Sequence, residues 1–195
     1  MALLELVVVG LTLTTAAWLK GAEARRRVAA TEALDAYARS RGLRFVPAPE
    51  TPRGASPRVV GESGGVPYEI DLYRLGAQVR TRVRASAARG RAPRLSIAKR
   101  GDFPWSGPSE ACLGDARVDA AYSVNVTAPS DLDDLSEVCP PLRSLAARQG
   151  VWLVSDGRQV TLSFQGADGD PRALDAARTA VVVVASRRCS EAPYR

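Results

Sequence analysis

The chain reads as an α+β domain behind an N-terminal transmembrane helix: a mainly antiparallel sheet with helices packed on one face. Three observations predict this. Residues Ala2 to Leu19 form an almost unbroken apolar run, followed at once by Lys20, Arg25, Arg26 and Arg27. Between residues 66 and 84 two neighbouring stretches alternate apolar and polar with a period of two, the pattern of a hairpin with one buried and one wet face. Near 131–148 apolar residues recur at three- and four-residue steps, as on a helix with one buried stripe, and near 171–187 a first-turn proline leads to a block at Val181 to Val184 that is apolar all round and should bury one helix end.

The apolar run comes first. As a helix it would cover about 27 Å, against a hydrocarbon core of about 30 Å. Glu5 lies near one end, where a carboxylate can reach headgroup water, and Trp18 near the other, where an indole suits the interface. All the positive side chains follow the run, so the positive-inside rule places the N-terminus outside and the rest of the chain in the cytoplasm. The expected location is a bacterial inner membrane, single-pass, with the bilayer contacted through residues 2–19. A cleaved signal peptide is the alternative, with Ala22-Glu23-Ala24 as its cleavage site and a periplasmic or secreted domain as the outcome. No base precedes the apolar run, and Glu5 sits where a signal peptide carries positive charge. A buried helix of a soluble protein would need a polar stripe that the run lacks.

The expected boundaries are an anchor at 1–21, a juxtamembrane helix within 22–46, a Pro-rich loop at 47–57, the α+β domain at 58–188 and a tail at 189–195. The helix over 22–41 is rich in Ala, Arg and Glu, with Val28, Leu34, Tyr37 and Ala38 on a loose apolar face and Gly42 as its stop. Pro47, Pro49, Pro52 and Pro57 exclude a helix or an inner strand from the loop. In the hairpin, Tyr68, Ile70 and Leu72 oppose Glu69, Asp71 and Tyr73, while Val79, Thr81 and Val83 oppose Arg80, Arg82 and Arg84. A two- or four-residue loop around Leu75-Gly76 sets apolar against apolar; a three-residue loop would put Ile70 opposite Arg82. The allowed registers pair Asp71 with Arg80 or Arg82, and Glu69 with Arg82 or Arg84.

Residues 94–98 predict a third strand, 100–115 a long loop, and Ser123 to Thr127 another strand. Asp131 to Arg148 predicts an amphipathic helix on Leu132, Leu135, Val138, Leu142 and Leu145, with Ser130 or Asp131 as its cap and Gly150 as its end. Pro140 and Pro141 demand a kink or a second helix start. A hairpin follows, Val151–Val154 and Val160–Phe164 around Asp156-Gly157. The last helix runs from Pro171 to Ser186 or Arg188, too short and too charged to span a bilayer.

The net charge of +6 includes the collar beside the apolar run, and all but two of the 27 bases are Arg, as a GC-rich genome favours. The chain has no His, which removes every His-based triad, general base and metal site. Cys112, Cys139 and Cys189 lack metal-ligand spacing. They are expected as reduced thiols in a cytoplasmic domain, or as a Cys112–Cys139 bridge with Cys189 free in a periplasmic one.

Two groups carry candidate chemistry. In Gly114-Asp-Ala-Arg-Val-Asp119, Asp115 and Asp119 would share a helix face and could hold a divalent cation or work as acid and base. The structural alternative has Asp115 capping a turn and Asp119 solvated or paired with Arg117. The run from Arg80, Arg82 and Arg84 through Arg89, Arg91, Arg94 and Lys99 to Arg100 could grip anionic headgroups or phosphates. Its cross-strand acids favour a solvated sheet face, and with Tyr73 as its one aromatic neighbour no nucleic acid is expected. Ser130 to Asp134 lacks the glycine and terminal glutamate of a calcium loop, and Gly61 to Gly65, which lacks the lysine and helix of a phosphate loop, reads as a turn.

Four phrases, Arg41-Gly-Leu-Arg-Phe45, Gly65-Val-Pro-Tyr68, Arg80-Thr-Arg82 and Gly114-Asp115 with Asp119, resemble a group of bacterial single-span membrane proteins that carry a domain of unknown function. Val118 stands where that group has an aromatic. The resemblance implies an anchored domain and brings no catalytic residues with it. The leading expectation is a membrane-tethered, non-enzymatic binding or scaffold domain without a cofactor. The alternatives are a small hydrolase or cation-dependent enzyme using Asp115 and Asp119, and an anionic-lipid binder using Arg80 to Arg100.

Overall fold

The computed structural model describes residues 25, 28–49, 56–76, 78–87, 91–103, 111–127, 135–167 and 169–187. The expected anchor, the expected tail with Cys189, and the cap at Ser130 or Asp131 lie outside them. Among the described residues, no helix is long and apolar enough to cross a membrane.

The element order is α1 (28–40), β1 (Arg44–Val46), β2 (Arg58–Ser63), β3 (Val66–Leu75), β4 (Gln78–Ser86), β5 (Arg94–Lys99), α2 (Ala116–Ala121), β6 (Tyr122–Val126), a 3-10 turn (Leu135–Val138), α3 (Cys139–Leu145), β7 (Trp152–Asp156), β8 (Gln159–Gln165) and α4 (Pro171–Ser186). The eight strands form one sheet in the order β1-β2-β3-β4-β8-β7-β5-β6, and every pairing is antiparallel. The α+β class with helices on one face is therefore the observed architecture.

Alternation decides which side of each strand is buried. Ile70, Val83, Leu162, Leu153 and Ile97 lie opposite one another from β3 to β5 and are all fully buried. The amphipathic helix α4 closes this inner face, packing on β3, β4 and β8 and against α3. Its Leu174, Ala177, Val181 and Val184 are buried at three- and four-residue steps. Tyr122 on β6 is fully buried and donates its hydroxyl hydrogen bond to the Leu142 carbonyl of α3 at 2.9 Å, which ties the far end of the sheet to the helix layer.

The hairpin takes the two-residue loop: Leu75 pairs with Gln78, Asp71 with Arg82 and Glu69 with Arg84. Arg80 faces Tyr73 instead of an acid. The prolines at 140 and 141 behave as a second helix start. Residues Leu135–Val138 form a 3-10 turn, and α3 begins at Cys139 with proline in its first turn, where the missing N–H costs nothing.

Three elements depart from the expectation. Helix α1 stops at Ser40, just before the expected stop at Gly42, but Arg44–Val46, assigned to the juxtamembrane segment, forms β1 on the sheet edge. Val28, expected on the apolar face, is 57 % exposed, whereas Leu34, Tyr37 and Ala38 enter the same core as β3 and α4. The glycine-rich stretch expected as a turn is half strand: Gly61 to Ser63 belong to β2, and only Gly64 and Gly65, with φ of +57° and +79°, make the turn. Gly61 is needed for contact, not for φ. A Cβ there would lie 2.6 Å from the Tyr68 hydroxyl.

Candidate functional site

The carboxylate pair sits at the start of α2. Asp115 is its N-cap, and its Oδ1 accepts from the backbone N–H groups of Arg117 at 3.0 Å and Val118 at 3.1 Å. Asp119 was expected to face solvent or Arg117. It instead turns back and accepts from the N–H groups of Leu113 at 2.8 Å and Gly114 at 3.2 Å. Each carboxylate therefore satisfies two backbone donors at a helix start, as in a reciprocal cap. Arg143 of α3 approaches Asp115 Oδ2 at 3.5 Å. Cys139 adjoins this corner, with its Sγ 4.0 Å from the Leu113 carbonyl. Burial raises its thiol pKa, and the charges of Asp115 and Asp119 add to that, which makes it a poor nucleophile. Cys112 is exposed, and both thiols are free.

The arginines lie on the outer face of the sheet, opposite the helices. Arg82 makes a bidentate pair with Asp71, Nε donating to Oδ1 at 2.9 Å and Nη2 to Oδ2 at 2.7 Å. Arg84 donates to the same Oδ2 at 3.2 Å and forms a close ion pair with Glu69, which Arg58 approaches at 3.8 Å. The Arg82 guanidinium lies 4.7 Å from the centre of the Tyr73 ring. The hydrogen bond to Asp71 holds the Arg82 pKa above its ordinary value. These contacts leave Asp71 only 7 % exposed, although it stands on the wet face.

Arg80 behaves differently. It is 4 % exposed, it donates to the Gly150 carbonyl and to Ser163 Oγ at 3.4 Å, and its guanidinium lies 5.9 Å from the Phe103 ring centre. Phe103 in turn contacts Trp152 at 6.1 Å between ring centres. Arg80 is thus a clamp on the turn before β7 and not part of a solvated stripe.

The basic run expected from Arg80 to Arg100 is not one patch. Lys99 points to the opposite face of β5 and donates to the Arg148 carbonyl at 2.7 Å. Arg100 donates to the Tyr122 carbonyl at 3.0 Å. The outer face draws instead on strands that sequence reasoning missed. Arg44 of β1 and Arg58 of β2 join Arg82 and Arg84 there, against Glu62, Glu69 and Asp71; with Arg80 buried, these four bases and three acids leave one positive charge. Arg44-Phe45 and Arg58-Val59 stand in short segments beside prolines, and no periodicity there marks a strand.

The pairing makes an unequal prediction. Arg82→Gln is expected to cost about 2 kcal/mol, between the value for an exposed pair and that for a buried one. Arg58→Gln should cost well under about 1 kcal/mol. Urea titration of both variants checks this, and equal midpoints would contradict the covered position of Asp71.

An open depression of about 500 Å³ lies at the Arg94 end of β5, lined by Arg94, Ser96, Asn125, Thr127 and Asp156 among others. It takes in neither carboxylate of α2 nor any arginine of β4. Among the described residues, no group of three metal-ligating side chains converges.

No protein-family model matches the chain, and no curated protein matches it. Among solved structures, the crystal structure of the mycobacterial trehalose monomycolate transport factor A, TtfA, is similar with a TM-score of 0.49 and 12 % sequence identity, over 82 % of this chain and 97 % of that one. At that level of similarity nothing about function transfers.

Proposed function

We propose that this chain is a membrane-anchored, non-enzymatic binding or scaffold module. The observation that carries the non-enzymatic part is the use of Asp115 and Asp119. Both carboxylates of the one motif-like pair are taken up by backbone N–H groups at the start of α2. These bonds fix both carboxylates to the backbone, and breaking those to Leu113 and Val118 would leave part-buried donors unsatisfied.

Helix α1 supports the anchored part. It follows the apolar run and the basic collar in sequence, and it is built into the core through Leu34, Tyr37 and Ala38. The likeness to single-span bacterial proteins belongs to the same proposal, as does a cytoplasmic position for the domain. Alkaline phosphatase fused after Arg195 in a bacterial host should stay inactive; strong activity would put the domain in the periplasm.

Calorimetric titration of the full chain in detergent with Mg²⁺, Ca²⁺ and Mn²⁺ tests the non-enzymatic reading. The expected result is no saturable heat. Micromolar binding that disappears in both Asp115→Asn and Asp119→Asn would sink it and favour the cation-dependent enzyme.

A further inference from the structure

We propose that the outer face of β1–β4 docks on the anionic surface of the bilayer that holds the anchor. This rests on the anchored reading above and adds which face of the domain meets the membrane, and why.

Among the described residues the face is broad and no helix packs on it. Across β1 to β4, Arg44, Val60, Glu69 and Arg84 stand in one row, and Val46, Arg58, Asp71 and Arg82 in the next. The helices pack on the other side of the sheet. The one positive charge left over on the outer face, where Arg44 and Arg58 are the exposed arginines, has the same sign as the collar beside the apolar run, so one anionic surface complements both. Tyr73 and Trp152 flank the second row, both half-buried and on the outer side of the sheet. Amphipathic rings beside guanidiniums suit the headgroup layer, where ring faces meet acyl-chain ends and polar edges meet water.

The acids favour lipid over a nucleic-acid strand. Glu69 and Asp71 alternate with the arginines across the strands, which breaks the continuous positive track that a phosphodiester chain follows. Headgroups are discrete and can settle between the acids. Weak affinity is enough, because the anchor already supplies a high effective concentration of membrane.

The test uses the full chain in nanodiscs of phosphatidylcholine alone or with phosphatidylglycerol, each with a nitroxide on a fraction of the headgroups. Quenching of Trp152 is isolated as the difference between wild type and Trp152→Phe, since Trp18 and Trp105 also emit. Strong Trp152 quenching is expected in anionic discs and little in neutral ones. Arg44→Gln combined with Arg58→Gln should lower the docked-to-free ratio about 30-fold at an unchanged melting temperature. Should that variant fold poorly, 0.5 M NaCl on the wild type should produce the same loss by screening, on the order of a Debye length of a few ångströms.

Co-migration with both discs but equal Trp152 quenching would overturn the docking face and leave the anchor in place. Failure to co-migrate with either disc would overturn the anchor and the docking together. A single-stranded oligonucleotide that binds the chain and relieves the quenching would assign the face to nucleic acid and overturn the proposal.

Discussion

Ile70→Asp is expected to leave the domain unfolded at room temperature. Ile70 is fully buried at the middle of β3, between Val59 of β2 and Val83 of β4 on the inner face. The substitution loses about 2–3 kcal/mol of apolar burial. It also puts a carboxylate in the core with no cation facing inward from either neighbouring strand, at a cost of several kcal/mol more. The sum consumes most or all of the about 5–15 kcal/mol that an ordinary domain has. Circular dichroism and a thermal melt decide it. A melting temperature within a few degrees of wild type would mean that the inward and outward faces of the hairpin have been exchanged.

Tyr37→Ala is expected to release α1 and to cost about 3–5 kcal/mol, as for truncating a large aromatic in a packed core. The Tyr37 ring is 1 % exposed, and its hydroxyl donates to Asp175 Oδ1 of α4 at 2.9 Å. Asp175 also takes an ion pair from Arg41 and lies 3.4 Å from Arg178 Nη2, so one carboxylate joins the end of α1 to α4. Burial raises the phenol pKa, and the bond to Asp175 raises it further, so Tyr37 remains a neutral donor through the physiological range. Tyr37→Phe keeps the ring and loses only that bond, and should cost about 1 kcal/mol. Hydrogen exchange separates the two effects. In Tyr37→Ala, amides of 28–40 should exchange far faster while those of β3 and β8 stay protected. Unchanged protection in α1 would show that its docking does not depend on this residue.

Much of the fold was legible because it repeats on a short period. Period-two alternation located β3 and β4 and narrowed their register to two choices. Pro171 at the first turn and the apolar block at Val181 to Val184 located α4 almost to the residue, although only Val181 and Val184 of that block are fully buried and Val182 and Val183 are half-buried. The strands β1 and β2 carried no such signal. They are short, they flank a proline-rich stretch, and Gly61 stands in β2 only because the Tyr68 hydroxyl occupies the space of a side chain. No local rule announces a contact made from the neighbouring strand.

The candidate site divides in the same way. Asp115 as a helix cap follows from Gly-Asp before a helical segment, which is local chemistry. The turn of Asp119 back to Leu113 and Gly114 depends on the path of the chain entering α2. The basic run of residues 80–100 misleads most, since nearness in sequence is not nearness on a surface. Sheet order sends Lys99 inward and buries Arg80, and it brings Arg44 and Arg58 from over twenty residues upstream to stand beside Arg82 and Arg84.

By itself, the sequence determined the class of the domain, the inner face of its central hairpin, the long C-terminal helix and the absence of histidine chemistry. Each of these depends on residue type and on spacing within a dozen positions, where backbone geometry leaves few choices. Only the tertiary structure decided which arginines share a surface, which of them is buried, and how α1 is fastened. Those outcomes depend on strand order and on side-chain contacts between segments more than a hundred residues apart, such as Tyr37 with Asp175, and they exist only once the chain has closed on itself.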